Sequence, residues 1–76
     1  MKTYKLDLNN DITIKQLKEF IKNLPDDLAI DVYNYGDSGM INEVNLEIVE
    51  YGDKKENIPV TYDITLNIEA ESGYVY

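Results

Sequence analysis

The stretch Met40-Ile41-Asn42-Glu43-Val44-Asn45-Leu46-Glu47-Ile48-Val49-Glu50-Tyr51 alternates with a period of two. Val44, Leu46 and Ile48 fall on one side, and Glu43, Asn45, Glu47 and Val49 on the other, the signature of a strand with one face buried and one face wet. A second run shares the pattern. From Ile58 onward, Ile58, Val60, Tyr62, Ile64, Leu66 and Ile68 oppose Thr61, Asp63, Thr65, Asn67 and Glu69. Gly52-Asp53-Lys54-Lys55-Glu56-Asn57 is a polar turn joining the two, and Pro59 marks an edge or an unpaired start to the second.

Upstream, Leu28, Ile30 and Val32 face one way and Ala29, Asp31, Tyr33 and Tyr35 the other, and Gly36-Asp37-Ser38-Gly39 reads as a short hairpin loop. The same alternation in Lys2 to Leu8 sets Tyr4, Leu6 and Leu8 against Thr3, Lys5 and Asp7, and predicts a first strand at a sheet edge or beside the last strand. Between these runs the period changes to that of a helix: Ile14, Leu17, Phe20, Ile21 and Leu24 share one side, and Lys15, Lys18, Glu19, Lys22 and Asn23 the other. Asn9-Asn10-Asp11 is turn chemistry, Thr13 and Gln16 form a capping box, and Pro25 stops the helix. The two Tyr-Gly-Asp triplets, at Tyr35 and Tyr51, each end a strand and begin a turn.

The expected fold is α+β, a single domain over 1–76 in the order β-α-β-β-β. Short links between successive strands suggest an antiparallel meander, so one helix packs on a mainly antiparallel four-stranded sheet in two layers. A chain of 76 residues and 8.8 kDa supports one small core.

Composition excludes more than it selects. Fifteen acidic residues against seven lysines give a net charge of −8, so direct binding to nucleic acid or to an anionic membrane is excluded. Cysteine, histidine and arginine are absent, which removes disulfides, thiolate nucleophiles and the commonest general base and metal ligand. Asp26-Asp27 are turn formers, and Glu69 with Glu71 lacks the apolar pocket that would separate two carboxyl pKa values. Asp37, Ser38, Asp53, Glu56 and Asn57 offer oxygen ligands in loops but match no calcium-binding loop, and the four glycines form no phosphate loop. The reading is therefore no enzyme, no cofactor and no metal. The amino terminus lacks a signal-like apolar run, which points to the cytoplasm.

One helix covers one sheet face, so the other must face water or a partner. Its expected occupants mix carboxylates with tyrosines, and the residues assigned to partner binding are Asp31, Tyr33, Tyr35, Glu43, Glu47, Asp63 and Glu69. Carboxylates about 4.8 Å apart across strands and about 6.7 Å apart along them form a grid whose charge density resembles a nucleic-acid backbone.

Thr13-Ile14-Lys15-Gln16-Leu17 followed by Leu24-Pro25-Asp26-Asp27 resembles a pattern in small phage and mobile-element proteins, a T-[IV]-x-x-L helix ending in L-P-x-D before an apolar strand. The resemblance brings no catalytic residue with it. In size, acidity and lack of catalytic inventory the chain is similar in character to anti-CRISPR and anti-restriction inhibitors. It implies a phage inhibitor, acting in the host cytoplasm, that blocks the basic groove of a partner protein, such as a nucleic-acid-handling enzyme, by charge mimicry. The alternative is a small self-associating structural or adaptor protein, a homodimer formed through a strand edge, the tyrosine face or the tail Tyr74-Val75-Tyr76. An aromatic cage for a small cationic ligand is a third option.

Overall fold

The computed structural model describes residues 1–35 and 41–70. Its elements are β1 (Lys2–Asp7), α1 (Ile14–Ile21), β2 (Ile30–Tyr35), β3 (Ile41–Asp53), a 3-10 turn at Lys54–Glu56 and β4 (Ile58–Ala70). The α+β class and the single helix on a four-stranded sheet follow the sequence pattern. The sheet itself differs from the expected meander. Its order is β1-β3-β4-β2, with β1/β3 and β3/β4 antiparallel and β2/β4 parallel.

The physical reason lies in the helix. A chain that leaves a strand, passes through a helix and returns to the same sheet runs its second strand parallel to the first. The β3–β4 hairpin then inserts between β1 and β2, so β2 meets β4 and never touches β3. The expected hairpin loop at 36–39 lies outside the described residues, as do Glu71 and the tail 74–76.

Local chemistry explains the ends of α1. The Thr13 hydroxyl accepts from the Gln16 amide at 3.1 Å, and the Gln16 side chain accepts from the Thr13 amide at 2.9 Å, a reciprocal capping box. The helix stops at Ile21, three residues short of the expected Leu24. The residue before Pro25 is pushed out of helical geometry, and the chain closes instead with a tight turn in which Leu24 N–H donates to the Ile21 carbonyl at 2.9 Å.

Leu46, Ile48 and Ile64 form the buried centre, and Leu6, Leu17, Phe20, Ile21, Leu24, Leu28, Tyr62 and Leu66 pack against it. The helix therefore sits over β1, β3 and β4. β2 receives no such cover: Ile30 and Val32, expected inward, are 59% and 64% exposed, and Ile14 and Ile58 also lie open.

Pro59 is not on an edge strand, since β4 is central; it lies where β4 runs past the end of β2, at a bulge between the pairs Tyr51–Thr61 and Asp53–Ile58. Opposite it, Gly52 adopts φ 97°, and a Cβ there would stand 2.7 Å from the Pro59 carbonyl carbon and against its oxygen. Asp53 then caps the 3-10 turn by accepting from Lys55 N–H at 2.9 Å, and Asn57 completes it in the left-handed region. No helix of the described residues is long and apolar enough to cross a membrane.

Candidate functional site

The register decides which side chains share the face that α1 leaves open. Residues directly paired across strands lie on the same face, so the pairs Glu43–Glu69, Asn45–Asn67, Glu47–Thr65, Val49–Asp63 and Tyr51–Thr61 all stand together. β2 adds Asp31 opposite Thr65 and Tyr33 opposite Asn67. From β1, Thr3, Lys5 and Asp7 join through Val49, Glu47 and Asn45. Asp31, Tyr33, Glu43, Glu47, Asp63 and Glu69, assigned from sequence, thus fall on one surface. Tyr35 is aligned with Glu69 in the backbone register, and its side chain lies outside the described set.

Charge on this surface is one-sided. Asp7, Asp31, Glu43, Glu47, Asp63 and Glu69 bring carboxylates, whereas Lys5 is the only lysine that the register places among them in the described residues. Its ammonium lies 3.8 Å from Glu47, with that lysine side chain 63% exposed, so the pair is a loose, screened contact that neutralises little. Lys15, Lys18 and Lys22 ride on α1, across the sheet from the acidic face.

The centre of the face departs from expectation. Asn45 and Asn67, expected in water, are buried to 9% and 7% exposure, and the Asn67 side-chain amide donates to the Asn45 carbonyl oxygen at 3.0 Å. Both lie on the two central strands, and the longer side chains of Lys5, Glu43, Glu47 and Glu69 stand around them in a depression of about 310 Å³. Burial leaves the amides to satisfy one another, because an unmade hydrogen bond there is costly. The charged rim is thereby mounted on a fixed polar floor.

At the β3–β4 end, the register sets Tyr51 diagonally across from Asp63 on the same face. The neighbouring Asp63 carboxylate, with some desolvation and the charge of Glu47, pushes the phenol above its ordinary value near 10. Tyr51 stays neutral and presents a ring, 39% exposed, beside the carboxylates. Alternation places Tyr51 on this face without showing its diagonal position beside Asp63, which only the register reveals. Lys5 and Asp7 were missed as members, since the neighbour of β1 was not chosen.

No protein-family model, no curated protein and no solved structure matches this chain.

Proposed function

We propose that this chain is a non-enzymatic acidic binding protein whose open sheet face occupies a basic, nucleic-acid-binding groove on a partner protein. One observation carries the reading: the register gathers Asp31, Glu43, Glu47, Asp63 and Glu69 on one face and sets Glu43 directly against Glu69. Like charges opposite one another destabilise a sheet. Solubility alone needs net charge, not its concentration on one wall. A concentrated anionic wall raises the encounter rate with a cationic groove and excludes the groove's own polyanion.

Tyr33 and Tyr51 supply contact area among the carboxylates, as rings whose hydroxyls remain hydrogen-bonding groups when desolvated. The inhibitor class suggested by the mobile-element resemblance fits such a surface, and the host cytoplasm is the compartment in which it would act.

Capture of partner from a host lysate, followed by a salt series on the isolated complex, tests this. Affinity should fall steeply as salt rises, and simultaneous Glu43→Gln, Glu47→Gln and Asp63→Asn should weaken binding without loss of fold. Binding indifferent to both would sink it.

A second reading is favoured by β2. Its outer edge is unpaired among the described strands, and it carries exposed Ile30 and Val32. Antiparallel pairing of two copies about Val32 would set Asp31 against the other copy's Tyr33 and avoid facing carboxylates. Sedimentation at several concentrations separates the two: a concentration-dependent dimer abolished by Val32→Lys supports self-association.

A further inference from the structure

On the other side of the sheet, where the last turn of α1 crosses β1, β3 and β4, lies a notch of about 290 Å³. Its walls are Tyr4, Phe20 and Tyr62, and its apolar floor is Leu24 and the almost fully buried Ile48. Glu19, Asn23 and Glu50 complete its lining, which includes no lysine among the described residues, although the register sets Lys2 opposite Glu50. The chain's geometry explains the gap. α1 ends at Ile21 and the chain closes with a tight turn at Leu24, and the rings of Tyr4 and Tyr62 stay partly uncovered beside it.

We propose that this notch is a binding site for a small alkylated ammonium ion. Two features favour that ligand class. Aromatic faces attract a cation through the ring quadrupole, most strongly when the cation is weakly hydrated. Glu19 and Glu50 in its lining supply opposite charge. The volume is at the lower limit of small-molecule sites, about 300–1,000 Å³, which fits a headgroup and not a larger ligand.

The structure also holds a competitor. The Lys22 ammonium lies 3.1 Å from Glu19, with both side chains exposed, so an incoming cation must share or displace this contact. This makes a directional test available, because removing Lys22 should strengthen binding. The site is remote from the acidic face, and its failure would leave the proposed function standing.

The experiment is an NMR titration of the full chain with tetramethylammonium chloride, beside sodium chloride and the neutral isostere neopentyl alcohol. Saturable shifts of the Tyr4, Phe20 and Tyr62 ring signals and of the Leu24 and Ile48 methyls are expected with tetramethylammonium only. Tyr4→Leu, at a ring 44% exposed and therefore tolerant of change, should weaken binding about two- to five-fold, as loss of one exposed cation–π contact implies. Glu50→Gln should weaken it by a similar factor and Lys22→Gln should strengthen it, with the spectrum of each variant reporting the fold. Equal shifts from neopentyl alcohol, or tetramethylammonium shifts that map instead to residues around Glu43 and Glu69, would overturn the proposal.

Discussion

Glu43 and Glu69 occupy directly opposed positions on the antiparallel strands β3 and β4, both exposed, beside the buried Asn45–Asn67 pair. Two carboxylates so paired repel, and the only ammonium that the register places on the face among the described residues, that of Lys5, lies 3.8 Å from Glu47 instead.

Neutralising one member should therefore stabilise the fold. Glu43→Gln or Glu69→Gln is expected to raise unfolding stability by about 0.2–1 kcal/mol, the range for cross-strand charge pairs. Denaturant midpoints at low and high salt check it. The gain should shrink as salt screens the pair, and a destabilised Gln variant would show that the glutamates hold some contact other than repulsion.

The Asn45–Asn67 bond gives a contrasting expectation a few ångströms away. Asn67→Ala removes the donor and leaves the Asn45 oxygen buried without it, at a cost of about 1–3 kcal/mol. Changing both residues to Ala should cost less than the two single changes added together, because the second removes the group that the first stranded. A strictly additive cycle would mean that the two amides do not depend on each other.

Most of the acidic face was legible in the sequence, and the reason is the period of two. Alternation alone decides which residues of β3 and β4 share a side, whatever their neighbours, so Glu43, Glu47, Asp63 and Glu69 were assigned together before any pairing was known. Pairing was not legible in the same way. Period says nothing about which strand lies beside which, and the short link after Tyr35 pointed to a meander, whereas the helix between β1 and β2 had already committed β2 to run parallel to β1. Ile30 and Val32 were misjudged for the same reason: their alternation marks the helix side, but the strand order puts β2 at the edge, beyond the core that α1 covers. Asn45 and Asn67 look wet as residue types and are dry because they sit at the middle of the two central strands, a position that only the strand order defines.

The closeness of Tyr51 to Asp63 makes a pH-dependent contribution whose sign follows from its cause. Ionising the phenol would bring a second negative charge beside Asp63. The folded-state pKa is therefore above the unfolded value near 10, so the contribution is fully present below that value and is lost as pH rises through the folded one. Tyr51→Phe should be less stable than the parent at neutral pH, and the difference should close at strongly alkaline pH. An NMR titration of the Tyr51 ring should also show its ionisation moving down in Asp63→Ala. A ring that ionises at the same pH in both proteins would rule out the coupling.

Gly52 tests whether the β3–β4 turn holds the acidic register in place. Its φ of 97° lies in the region where side chains are strained, and the added Cβ of Gly52→Ala would press on the Pro59 carbonyl and approach Val60 Cα at 3.0 Å. These are backbone atoms on the opposing strand, so relief requires the bulge to open or the hairpin to shift. The expected cost is about 1–3 kcal/mol, in line with forcing a non-glycine residue into a sparsely populated conformation. If relief comes by a one-residue slip, every side chain of one strand changes face, and the carboxylates of Glu43 and Glu47 would leave the side that holds Asp63 and Glu69. Amide exchange and cross-strand nuclear Overhauser contacts between Asn45 and Asn67 distinguish the outcomes. Retained contacts with lower stability mean local strain at the bulge, loss of these contacts means that the turn sets the register, and unchanged stability would contradict the close approach of Gly52 to Pro59.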